Sequence, residues 1–182
     1  MPAYAGRLAL LLALVAPSAW ADALKPDQWS SKQLSEFVRA FQYLGDASRT
    51  CKASANNARQ HPLPGSTTKC KVYRENGQPT TRVRTVRFEA QGLTWQGLPI
   101  AVIEYQQTSS ITEGMVYHAA ITYTFAAPYS ELARPVLAKW RSEQMQPERN
   151  PTGGGYFTTR DAITQSVRQS GRQGMFVSEF FE

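Results

Sequence analysis

The stretch Met115–Phe125 constrains the fold more than any other part of this 182-residue chain. Met115, Tyr117, Ala119, Ile121, Tyr123 and Phe125 take alternate positions, with His118, Thr122 and Thr124 between them. Residues two apart share one face of a strand, so this pattern requires a half-buried sheet. Leu98–Gln107 supplies a neighbour. The connection between the two carries Thr108-Ser109-Ser110 and Glu113-Gly114, which has turn composition, so the pair is expected to form a hairpin. Thr81–Glu89 (TRVRTVRFE) is rich in β-branched residues, and its alternation slips between Val83 and Val86 as a bulge would. Tyr156–Arg160, Ile163–Gln169 and Met175–Phe181 follow, with Asp161 and Gly171 in the turns between them.

Helices flank these strands. Leu34, Phe37, Val38, Phe41 and Leu44 form one apolar stripe at the helical period. Ser30 and Gln33 have capping-box spacing, Trp29 and Leu34 are placed as a hydrophobic staple, and Gly45 is a stop. A second helix is expected from about Asp46 to Arg59, with Ala47, Cys51, Ala55 and Ala58 as a small-residue face. Another opens at Pro128 and runs to about Gln144, burying Leu132, Val136, Leu137 and Trp140. Short links between strands favour antiparallel pairing. The expected fold class is therefore α+β: N-terminal helices followed by a mainly antiparallel βββ-α-βββ sheet, with helices packed on one face. Residues 22–182 are expected to form a single domain, helical and disulfide-stapled over 22–70 and strand-rich with one central helix over 71–182.

Residues 1–21 have the layout of a cleavable secretory signal. Arg7 precedes the apolar run Leu8–Ala16, Pro17 breaks it, and Ala19-Trp20-Ala21 supplies the small-x-small site. That run is too short to span a membrane, and no second long one follows. Cleavage near Ala21 places the mature chain in the periplasm or beyond. In that oxidising setting Cys51 and Cys70, the only two cysteines, are expected to form a disulfide. Closing that loop is worth about 3 kcal/mol in the chain-entropy model.

Charge narrows the partner class. Between Ala47 and Arg87 nine basic residues face one acid, Glu75, within a chain of net charge +6. Such a segment favours an acidic protein surface or an anionic envelope polymer, glycan or lipid. Nucleic acid is the first thought for so basic a chain, and export argues against it. Arg82 and Arg84 share a strand face, and paired guanidiniums suit planar carboxylates. Arg87, Lys69, Lys71 and Arg74 extend the candidate surface, with Trp95 as an exposed aromatic beside it. The alternative is a solvated basic face without a partner.

Catalytic motifs are missing. No GxSxG, SxxK or HExxH pattern occurs, the Gly153-Gly154-Gly155 run lacks the Lys-Ser/Thr of a phosphate loop, and no cofactor or metal is expected. His118 among threonines is the one general-base candidate, and His61 sits in a proline-rich loop. Glu104 and Glu113 are the carboxylate pair nearest to glycosidase logic. In size, export signal, single disulfide and lack of catalytic groups, the chain resembles small periplasmic inhibitors and immunity-type proteins. The resulting expectation is an exported non-enzymatic binding protein of the bacterial-type periplasm, an inhibitor or immunity-type protein recognising an acidic macromolecule. The alternatives are an envelope accessory protein binding anionic glycan or lipid, and a hydrolase using His118.

Overall fold

The computed structural model describes residues 24–60, 63–151 and 153–181, leaving aside the side chains at 54, 55, 57 and 58. The signal-like segment 1–21 and His61 lie outside the described residues, as do the side chains of Ala55 and Ala58. The elements run α1 (Ser31–Gly45), α2 (Cys51–Gln60), β1 (Ser66–Glu75), β2 (Gln78–Glu89), β3 (Thr94–Trp95), β4 (Leu98–Ser110) and β5 (Val116–Phe125). After these come α3 (Tyr129–Ser142), β6 (Glu148–Arg149), β7 (Gly155–Arg160), β8 (Ile163–Ser170) and β9 (Gln173–Phe181). The described strands form one nine-stranded sheet in the order β1-β2-β4-β5-β9-β8-β7-β6, with β3 paired to β4 at the side. Every pairing is antiparallel. The chain lays down one meander through β5, crosses by way of α3, and returns so that β9 closes onto β5.

The expected βββ-α-βββ arrangement does not form. Five strands precede α3 and four follow it, so the molecule is mostly antiparallel sheet with few helices. The strand-rich part begins at Ser66, inside the disulfide loop, rather than after Cys70. The physical reason is that β1 is an edge strand, paired on one side only. Its exposed positions take Lys69, Lys71 and Arg74, which hide the alternation that marks a strand. Strands β3 and β6 are two residues long and carry no periodicity to detect. The bulge expected between Val83 and Val86 is absent, since β2 holds an unbroken register with β4 from Thr81 to Glu89. The pattern slips in the sequence because Arg82 and Arg84 occupy inward positions that apolar residues would ordinarily fill.

Helix α1 begins with the capping box: the Gln33 N–H donates to Ser30 Oγ (3.2 Å), and the Ser30 N–H donates to Gln33 Oε1 (2.8 Å). Phe37, Phe41 and Leu44 are buried, with Phe37 stacked 4.3 Å from Phe41 and 5.1 Å from Phe88. Trp29 packs on the Phe37 ring at 4.7 Å. Gly45 is needed for close approach, because a Cβ there would run into the Tyr105 ring. The second helix starts at Cys51, five residues later than expected. Asp46 accepts from the Ser48 N–H (2.9 Å) to make a turn, and Thr50 Oγ1 then caps the Ala53 N–H (3.2 Å).

Helix α3 buries Leu132, Val136 and Trp140 against β8 and β9. Trp140 Nε1 donates to Gln165 Oε1 at 2.6 Å inside this layer. Residues facing α1 (Val86, Phe88, Tyr105) and those facing α3 (Val167, Phe176) lie on the same side of the sheet by register. All three helices therefore share one face, and among the described residues no helix covers the other.

Candidate partner-binding surface

Strand β2 sorts the basic segment by face. Arg82, Arg84, Val86 and Phe88 point toward the helices, while Val83, Thr85 and Arg87 point to the open face. Arg82 is 9 % exposed and Arg84 is 0 % exposed. Both serve the turn between α1 and α2 by donating to its main-chain carbonyls. Arg82 Nη1 donates to the carbonyls of Ala47 (2.8 Å) and Ser48 (3.0 Å), and Arg84 Nη2 to that of Arg49 (3.1 Å). Ser109 Oγ donates to the same Ala47 carbonyl at 2.6 Å, and the Ala47 N–H donates to Gln107 Oε1 at 2.6 Å. A planar guanidinium offers several fixed donors and can gather carbonyls in this way.

Enclosure pushes the Arg84 pKa down to about 10; the Asp46 carboxylate pulls it the other way, and Arg82 and Arg49 add to the lowering. Arg84 thus remains a cation at neutral pH. The two arginines placed by sequence on a partner-facing surface are internal struts, and a partner docking on the folded protein does not reach them.

The disulfide completes this attachment. Cys51, the first residue of α2, bonds Cys70 in β1 with the Cα atoms 5.6 Å apart. Cys70 is the cross-strand neighbour of Arg84, so the staple and the struts hold one turn from adjacent positions.

The remaining basic residues point outward. Lys69, Lys71 and Tyr73 alternate along the open face of β1, and Arg87 lies on the same face of β2, opposite Thr67. Lys71 Nζ sits 4.5 Å from the centroid of the Tyr73 ring, which is 45 % exposed. Among the described residues neither Lys69 nor Lys71 has a carboxylate partner. Arg87 is paired with Glu89 at 2.9 Å. Arg74 Nη1 donates to the Gly77 carbonyl (3.0 Å) across the β1–β2 turn. Tyr73 joins the surface only through the structure; the alternation Lys69, Lys71, Tyr73 against Cys70 and Val72 is the sequence signal that places it.

The expectation of an exposed Trp95 does not hold. Trp95 is 5 % exposed and packs edge-on against Phe125 at 6.2 Å, so it belongs to the core and not to a surface beside the lysines. Phe181, next to the half-buried Phe180, is on the open face and exposed.

His118 is on the open face beside β9. Its Nε2 lies 3.5 Å from Glu179 Oε2, and its ring rests on Phe181 at 4.7 Å. Among the described residues no hydroxyl or thiol is hydrogen-bonded to this imidazole. Glu104 lies mid-strand opposite Thr122, and Glu113 is in the β4–β5 turn. No group of three or more potential metal-ligating side chains occurs among the described residues. No helix among them is long and apolar enough to cross a membrane. Comparison with protein families, with characterised proteins and with solved structures finds no match.

Proposed function

We propose that this chain is an exported binding protein, inhibitor or immunity-like in kind, whose β1 edge takes an acidic segment of a partner protein. The observation that carries the reading is the pair Lys69 and Lys71, exposed and without carboxylate partners among the described residues, on the open face of an edge strand beside the exposed ring of Tyr73. An edge strand leaves a row of backbone N–H and C=O groups unpaired. A peptide strand added there satisfies that row, and its alternate side chains meet the lysines and the tyrosine. A glycan or lipid headgroup offers charge but no matching backbone, so a protein partner fits better. The signal-like layout of residues 1–21 and the disulfide support a periplasmic or secreted setting.

The test is binding to poly-glutamate, heparin and anionic vesicles, by the wild type and by Lys69→Glu/Lys71→Glu. Glutamate also keeps the edge charged, so self-association of the strand stays suppressed. Wild-type retention on poly-glutamate at moderate salt, weakened about tenfold by the double reversal, is the expected result. Preference for heparin or vesicles would favour the envelope-polymer reading, and unchanged retention of the variant would rule the surface out.

A further inference from the structure

A different set of cations lies at the far end of the sheet. One side of α3 faces the β6–β7 edge across an open cleft of about 460 Å³. Arg134 and Arg141, two helical turns apart, line it from α3, and Arg149 lines it from β6. Tyr129 and Tyr156 supply its aromatic sides, and Gly155 lies in its wall. None of the lining side chains is acidic. Among the described residues none of the three arginines has an ion-pair partner, whereas nearby Lys139 is paired to Glu143 at 2.6 Å. Three guanidiniums around one hollow repel each other, and a bound anion relieves that repulsion.

We propose that this cleft binds a ligand carrying a phosphomonoester dianion, on a body about the size of a sugar ring. Three guanidiniums arriving from two elements can share the three outer oxygens of one phosphate, each through paired N–H donors, which lysine cannot do. A monoanionic carboxylate would leave most of that charge uncompensated. The volume exceeds that of a bare phosphate and falls in the range of small-molecule sites. The tyrosine rings offer flat faces to an attached sugar ring. A Cβ at Gly155 would strike the Val167 carbonyl, so glycine is required where β7 packs onto β8 beside the cleft. Burial and the neighbouring Tyr156 raise the Tyr129 pKa while Arg149 lowers it, in keeping with rings and guanidinium lying close together. The phosphate can come from a soluble sugar phosphate or from a lipid headgroup, and the chemistry recognised is the same.

The experiment titrates isotopically labelled protein with inorganic phosphate, glucose 6-phosphate and glucuronate, following the Gly154 and Gly155 amides by NMR. Flotation with vesicles containing phosphatidic acid runs in parallel. Arg134→Gln and Arg149→Gln are compared with wild type after thermal melts show both are folded. The expected result is saturable shifts with glucose 6-phosphate, tighter than with glucuronate, and weakened about tenfold by either substitution. Flotation without glucose 6-phosphate binding assigns the lipid source, and the reverse assigns the soluble one. Equal affinity for glucuronate overturns the dianion assignment. Binding that ignores both substitutions, or no binding to any probe, overturns the site.

Discussion

Under α3 the sheet meets its helix with Val167 and Phe176 against Leu132, Val136 and Trp140, and Gln165 is the buried polar group that answers the indole N–H. At the other end of the same face, under the α1–α2 turn, the sheet presents Arg82, Arg84, Gln107 and Ser109, and the contacts are hydrogen bonds to main chain. The first region is held by apolar area, which is strong and non-directional. The second is held by directed bonds in an enclosed setting, which fix one position but fail badly if one partner is lost. The disulfide lies in the second region. There α2 (CKASANNARQ) has little apolar surface to hold it, and a covalent tie does what packing cannot.

Trp140→Ala should show the largest effect, a loss of about 3–5 kcal/mol from an emptied core site. Urea unfolding measures it, and a loss smaller than that from any strut would reverse the contrast between the two regions. Replacing both cysteines by serine should cost about 3 kcal/mol. It should also expose Lys52 and Arg59 to trypsin while leaving α3 protected; uniform cleavage across the chain would deny that the staple acts locally. Arg84→Ala, which empties a fully buried side-chain site and removes the donor to the Arg49 carbonyl, should cost about 1–3 kcal/mol. If Arg84→Ala instead left stability unchanged, the guanidinium would not be a strut.

A smaller effect appears in alkali. Burial raises the pKa of the Tyr123 phenol well above its ordinary value of about 10. A phenol raised on folding contributes stability that is complete below about pH 10 and is lost as pH rises beyond it, because the unfolded chain gives up its proton first. Tyr105, raised chiefly by burial with Gln107 opposing, adds to the same limb. The Tyr123 hydroxyl has no hydrogen-bond partner among the described residues, so Tyr123→Phe should cost little at pH 7 and flatten the alkaline fall in stability. An equally steep fall in the variant would show that other groups set it.

The apolar region was legible in the sequence and the polar one was not. Alternation placed β5 and its hairpin with β4, and the 3.6-residue stripe placed α1, because in both cases burial selects apolar side chains at a fixed period. The period-two pattern of β2 is hidden at Arg82 and Arg84, since a buried arginine carries the same letter as an exposed one. Only the turn that receives it tells them apart, and that turn lies 34 to 35 residues away in the chain. The same limit explains the candidate surface. Nine basic residues were visible as a block, but which of them face outward depended on the register of an edge strand that composition concealed.

This block divides by face: inward arginines support the fold, and outward lysines stand exposed where the proposed partner would meet them. The most direct measurement takes Lys69→Glu/Lys71→Glu and Arg84→Ala side by side, reading melting temperature and poly-glutamate affinity on the same samples. The lysine double variant should keep its stability within about 0.5 kcal/mol of wild type and lose affinity. Arg84→Ala should lose stability and, where still folded, keep its affinity. Lost affinity in folded Arg84→Ala, with the lysine variant binding as wild type, would show that the division by face does not hold.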